Sequence, residues 1–115
     1  MQKATTTAQR ETIKRTFLQT FDVPGSSLET VIGMSELVPN MASGRESHPG
    51  VEAGYVLQGV LTLLVDGKPP LQLKAGQSWK LPARAVHDVR TGAEGAKVIG
   101  TWVVEKGKPF ASPAY

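Results

Sequence analysis

The sequence predicts a single all-β domain whose strands pair antiparallel. Three observations carry this. Twelve glycines and eight prolines among 115 residues punctuate short runs rich in Val, Ile, Leu, Thr and aromatics, the pattern of strands joined by turns. No apolar stripe of helical period lasts more than about two turns. The connections are too short for helical crossovers, so neighbouring strands must run in opposite directions. A chain of this length makes one compact domain with a core of its own.

The elements follow in order. Residues 1–15 read as a flexible, solvated lead-in. Lys3, Arg10, Lys14 and Arg15 there face only Glu11, while the rest of the chain carries nine basic and nine acidic residues. The basic balance therefore belongs to this segment and not to a face of the domain. Residues 16–105 form the folded body. Thr16 to Val23 is a strand ended by Pro24 and Gly25. Leu28 to Leu37 alternates, with Leu28, Thr30, Ile32 and Met34 on one face and Glu29, Val31, Gly33 and Ser35 on the other. A short segment through Arg45 to His48 closes at Pro49 and Gly50. Gly54 to Gln58 is a strand broken by Gly59, and Val60 to Val65 is the next. Asp66-Gly67 is a hairpin signal, since both positions tolerate positive φ. Leu71 to Leu73, Ser78 to Leu81, Val86 to Arg90 and Ala96 to Glu105 complete a set of about nine or ten strands, the last two separated by a turn at Gly92 to Gly95. Lys106 to Tyr115 reads as an extended tail, placed to lie along a partner subunit.

Several function classes are excluded or disfavoured. The chain has no cysteine, which removes disulfides, thiolate metal sites and a Cys nucleophile and leaves the compartment open. No segment approaches the ~18 apolar residues of a membrane span, and the opening residues lack the apolar run of a signal peptide. The expectation is a cytoplasmic protein, or an exported mature chain whose leader has been removed, with no membrane partner. No basic cluster interleaved with aromatics is present, so no nucleic-acid partner is expected. Neither a Ser-His-Asp set nor a phosphate loop stands out.

The chemistry-bearing residues are few. His48 and His87 are the only histidines, each at a junction of strand and turn. The turn at Pro49 and Gly50 can fold Glu52 back beside His48. Glu46, two residues before His48 on an extended segment, points to the same face. Two imidazoles and a carboxylate suit Fe, Mn, Ni or Zn with positions open to water or substrate. Against this stands the ordinary role of a strand-end His as a surface or hydrogen-bonded residue.

The stretch from Glu46 to Gly59, ESHPGVEAGYVLQG, resembles the first motif of the cupin family, His-x-His, three residues, Glu, six residues, Gly. His48, Glu52 and Gly59 match, and Glu46 stands in place of the first His. The stretch from Gly76 to His87, GQSWKLPARAVH, resembles the second motif, Gly, five residues, Pro, four residues, His. Thr91 stands where that motif has Asn. The resemblance covers roughly Leu28 to Val104, and it is the pair of motifs that is specific.

The resemblance implies an antiparallel jelly-roll barrel (a double-stranded β-helix), often a homodimer, with a divalent transition metal near its centre held by His48, Glu52 and His87. Glu46 either ligates in place of the missing His, making the site harder and shifting it toward Mn or Fe, or faces solvent or pairs with Arg45, Arg84 or Arg90. Gly59 and Gly76 are expected to supply positive φ, and Pro82 to fix the loop before His87. Lys80 or Arg84, if either reaches the barrel mouth, would hold an anionic substrate. Met34 and Val56 are candidates to line the cavity. Tyr55, Trp79 and Trp102 read as core. The expected function is that of a metal-binding domain acting on a small organic molecule, as a dioxygenase, isomerase, lyase or decarboxylase. The alternative is a non-catalytic domain that binds a small molecule. Dimerisation is expected through the spare apolar strand Val98 to Val104 and the tail.

Overall fold

Two glycine-bearing stretches that look like breaks are bends within long strands. In the computed structural model, which describes residues 13–114, the strand begun at Glu52 runs on through Gly59, and the strand begun at His87 runs on through Gly92 to Gly95. The eight strands are β1 (Ile13–Asp22), β2 (Leu28–Leu37), β3 (Glu46–Ser47), β4 (Glu52–Val65), β5 (Leu71–Lys74), β6 (Ser78–Leu81), β7 (His87–Glu105) and β8 (Ser112–Pro113). β4 and β7 pair along almost their whole length, from Glu52 opposite Trp102 to Val65 opposite His87. The register shifts twice, between Val56 and Gln58 and between Gly59 and Leu61. At the second shift Gly92 to Gly95 stand opposite Val60 alone, a bulge that turns both strands. Gly59 sits there with φ of 79°, and a Cβ on it would overlap the Gly95 carbonyl.

The bend divides the sheet into two halves. One comprises β1, β2, the C-terminal part of β7, the N-terminal part of β4, and β6. The other comprises β8, β3, the N-terminal part of β7, the C-terminal part of β4, and β5. Every pair is antiparallel, as expected. Between the halves lies the core of Leu37, Met41, Val56, Leu61, Leu63 and Val98 with its neighbours. A second cluster of Val31, Trp102 and Val104 is covered by Phe110. This is the jelly-roll arrangement, but not a closed barrel. β1 pairs only with β2, and β5 and β6 each pair only with β4, so the sheet's edges do not meet.

Three expectations need correction. The lead-in is three residues shorter than expected: Ile13 already pairs with Leu37, so Ile13, Lys14 and Arg15 belong to β1, while residues 1–12 lie outside the described residues. Val98 to Val104 is not spare, because β7 is flanked by β2 along that whole stretch and by β4 as far as Trp102. The tail does not extend away from the domain. It folds back, and β8 pairs with β3, Ser47 opposite Ser112. Among the described residues no helix is long and apolar enough to cross a membrane.

Candidate metal centre

Backbone pairing assembles the site. Glu46 of β3 pairs directly with His87 at the start of β7. After His48 the chain bends at Pro49 and Gly50, and the Gly50 N–H donates to the Val103 carbonyl at 2.8 Å. That anchor returns Glu52 to the same end of the sheet. His48 Nε2 lies 3.2 Å and His87 Nε2 3.7 Å from Glu52 Oε1. The two imidazole centroids are 5.2 Å apart. Glu46, His48 and His87 each offer a ligand atom within 4.8 Å of the others'. His48, Glu52 and His87 are buried, at 5%, 6% and 3% exposure, so their polar groups must find partners within the protein.

Both rings are fixed from behind. His48 Nδ1 donates to the Phe110 carbonyl and His87 Nδ1 to the Ala85 carbonyl, each at 3.0 Å. A carbonyl only accepts, so both Nδ1 atoms carry a proton. In the neutral rings both Nε2 lone pairs then face Glu52 Oε1. Three acceptors aimed at one another repel unless a cation lies among them. A proton can serve. Burial works to lower the His48 pKa, but the hydrogen bonds to Glu52 and the Phe110 carbonyl and the nearby Glu52 and Glu46 charges outweigh it and raise the pKa above 6.5. A divalent metal ion can serve equally. Two imidazoles with one or two carboxylates match Fe, Mn, Ni or Zn, and backbone carbonyls behind the rings are the partners such ligands need. The residues present fit the metal that the motifs imply.

Trp79 and Trp102 are not merely core. The Trp79 indole donates to Glu52 Oε2 at 2.8 Å and the Trp102 indole to Oε1 at 3.0 Å, so both carboxylate oxygens are aimed. Gly54 makes this possible, because a Cβ there would overlap the Trp79 ring lying across β4. Burial works to raise the Glu52 pKa, but the His48 and Trp79 hydrogen bonds and the two imidazoles bring it below 4.5. Burial raises the Glu46 pKa above 4.5, against the pull of His48, His87 and Arg15. Of the arginines that might have engaged Glu46, Arg45 pairs with Asp66 and Arg90 with Asp88, and Arg84 is exposed.

Sequence reasoning missed Arg15. It lies in β1 with its guanidinium 5.4 Å from the Trp102 ring centroid and 5.0 Å from that of Phe110. Its Nε donates to Ser35 Oγ at 3.2 Å. The signal that could have found it is the alternation of Ile13 and Arg15 with exposed Lys14 and Thr16. A charged residue at an inward-facing position asks for a reason.

The proposed substrate contacts are scattered. β2 alternates as expected, and the candidate Met34 is not on its inward face: Val31, Gly33, Ser35 and Leu37 are buried, and Met34 points away from them. Val56 is completely buried in the core. Arg84 is exposed on the loop before His87, where its N–H donates to the His48 carbonyl at 2.9 Å. Lys80 lies on a groove of about 650 Å³ outside Trp79. None of the four lines the cavity shared by His87, Glu52 and Arg15, which has about 40 Å³ of space.

Comparison with known proteins agrees with this fold. A family model described as "Cupin domain" matches residues 33–104. The fold is similar to DMSP lyase DddQ from Ruegeria pomeroyi, at a TM-score of 0.70 and 20% identity over 90% of this chain and 52% of that one. It is also similar to KdgF from Halomonas sp., at 0.66 and 18% identity over 84% and 83%. A cupin-like protein from Thermotoga maritima gives 0.65 and 22% identity over 89% and 75%. At these identities the likeness is one of fold, and the chain spans about half the length of the DMSP lyases it matches. No curated protein matches the sequence. The two motifs, the jelly-roll pairing and the match over most of the strands agree: this chain belongs to the cupin family.

Proposed function

We propose that the protein holds a divalent transition metal with His48, His87, Glu52 and Glu46 and acts on a small organic molecule there. One observation carries the reading: both histidines are tied through Nδ1 to backbone carbonyls, so both Nε2 atoms converge on one carboxylate oxygen. Fe, Mn, Ni or Zn in that position would supply Lewis acidity toward an oxygen of the bound molecule. The chain's own part is to hold and screen. Trp79 and Trp102 orient Glu52, and Phe110 stands edge-on to the His48 ring at 5.0 Å, limiting water. The reaction fits the dioxygenase, isomerase, lyase or decarboxylase classes, and the structural neighbours whose names include a DMSP lyase and an oxalate decarboxylase support that breadth. Metal content of the purified protein tests the reading. We expect about one equivalent in the wild type and loss of it in His87→Ala; equal content in the two ends the proposal.

One observation favours a non-catalytic small-molecule-binding domain instead. The cavity beside His87 is only about 40 Å³, far below the ~300 Å³ of an ordinary ligand pocket. Purified protein that is free of metal, and whose melting temperature responds to small metabolites but not to metals, would establish that alternative. For the oligomer we propose a homodimer through β1. It is an edge strand carrying Phe17, Leu18 and Phe21 at 53%, 45% and 58% exposure, and such edges pair with further strands.

A further inference from the structure

We propose that Arg15 is the anion-binding residue of this site and that the group it takes is a carboxylate. The inference rests on the metal reading above and names the class of molecule the centre accepts. Arg15 lines the same cavity as Glu52 and His87. Trp102 and Phe110 pack against its guanidinium, and Ser35 accepts from its Nε, so the fork is held in one orientation. No described residue accepts a hydrogen bond from its two Nη nitrogens, the pair that grips a carboxylate side by side.

Charge balance points the same way. A divalent ion with Glu46 and Glu52 ionised and the imidazoles neutral makes a centre of zero net charge, and Arg15 then adds one positive charge. A monoanion between ion and guanidinium removes it, and a buried centre favours such pairing over an isolated charge. The cavity's size narrows the class further. About 40 Å³ admits a group of roughly the bulk of one to three waters, which is a carboxylate head and little more. Lys80 and Arg84, the basic residues that the motifs suggest for this task, lie outside the cavity.

Formate is the probe, and the fluorescence of the two tryptophans is the readout, Trp102 lying against Arg15. Zinc-loaded wild type should bind formate saturably. Arg15→Gln, loaded with zinc to the same stoichiometry, should bind it at least about tenfold more weakly, because a charge-assisted bidentate contact is lost. Arg15→Lys, which keeps the charge and loses the fork, should fall between the two; it also decides the matter if the glutamine variant does not fold. Formate affinity unchanged in the folded variants overturns the assignment and leaves the metal site standing, as does an absence of formate binding by zinc-loaded wild type. If the wild type takes up no divalent ion, the metal reading fails separately. The assignment is then decided on metal-free protein, where Arg15-dependent formate binding keeps it and no binding, or binding indifferent to Arg15, overturns it.

Discussion

Glu52 is the residue on which the centre turns, since four side chains address its two oxygens. Trp79→Phe keeps the ring's bulk and removes only the N–H to Oε2. We expect about a 10–100-fold loss of metal affinity by competition titration, with the melting temperature little changed. Protonation follows from the same contacts. In the metal-free protein His48 titrates above 6.5, so its contribution to stability is full below about that pH and fades as pH rises through the folded value. Glu52 titrates below 4.5, so its contribution is present above that pH and fades as pH falls through its folded value. Glu46, raised by burial, also favours the folded state less as pH rises. Metal-free protein should therefore melt highest between roughly pH 4.5 and 6.5, and His48→Ala should flatten the alkaline side of that profile; an unchanged profile would refute the pairing. Metal affinity, requiring a neutral His48, should weaken as pH falls through its raised pKa. At this scale the two motifs single out His48, Glu52 and His87 in the sequence, while Glu46 stands there as one of two alternatives. The sequence concealed the roles of Trp79, Trp102 and Arg15. A buried indole and a core indole look alike in one dimension, and Arg15 stands in a run of basic residues whose surplus suggested solvent.

The elements that position these groups are held by bends rather than breaks. Gly59 is needed both for its positive φ and for its approach to Gly95, so Gly59→Ala should lower unfolding free energy by about 1–3 kcal/mol in denaturant titrations. A substitution with no measurable effect would mean that the bend does not depend on this residue. The glycine pattern located the bend correctly but suggested that the strands end there. A bulge and a turn share their residue preferences, and only pairing across β4 and β7 distinguishes them. The inward face of β2 is ambiguous in the sequence for a related reason. Alternation identifies two faces, but Ser35 on one and Met34 on the other argue for opposite choices. Burial of Ser35 is explained only by its bond to Arg15. The tail is a positioning element too, for its Phe110 carbonyl accepts from His48 Nδ1. Phe110→Pro would keep a carbonyl there but remove the ring from His48, Trp102 and Arg15.

For the molecule as a whole, fold class and strand direction were legible, because glycine and proline spacing and two local motifs sit at fixed places in the chain. Closure was not, since it depends on whether edges meet, and edge contacts have no local signature. The exposed edge strand β1, with Phe17 and Phe21 set on opposite faces by its bulge, makes a prediction at this scale. Light scattering at micromolar concentration should give a dimer, and Phe17→Lys with Phe21→Lys should give a monomer; a wild-type monomer would refute the proposed contact.

The partners that aim the ligands are far away along the chain: Phe110 lies 62 positions from His48, Trp102 50 and Trp79 27 from Glu52. A synthetic peptide spanning the first motif therefore contains three of the donor residues and none of what orients them. It should chelate divalent ions no better than any short peptide of like composition. Uptake of the proposed ion would have to wait until distant strands have docked, so its binding would report on completion of the native topology.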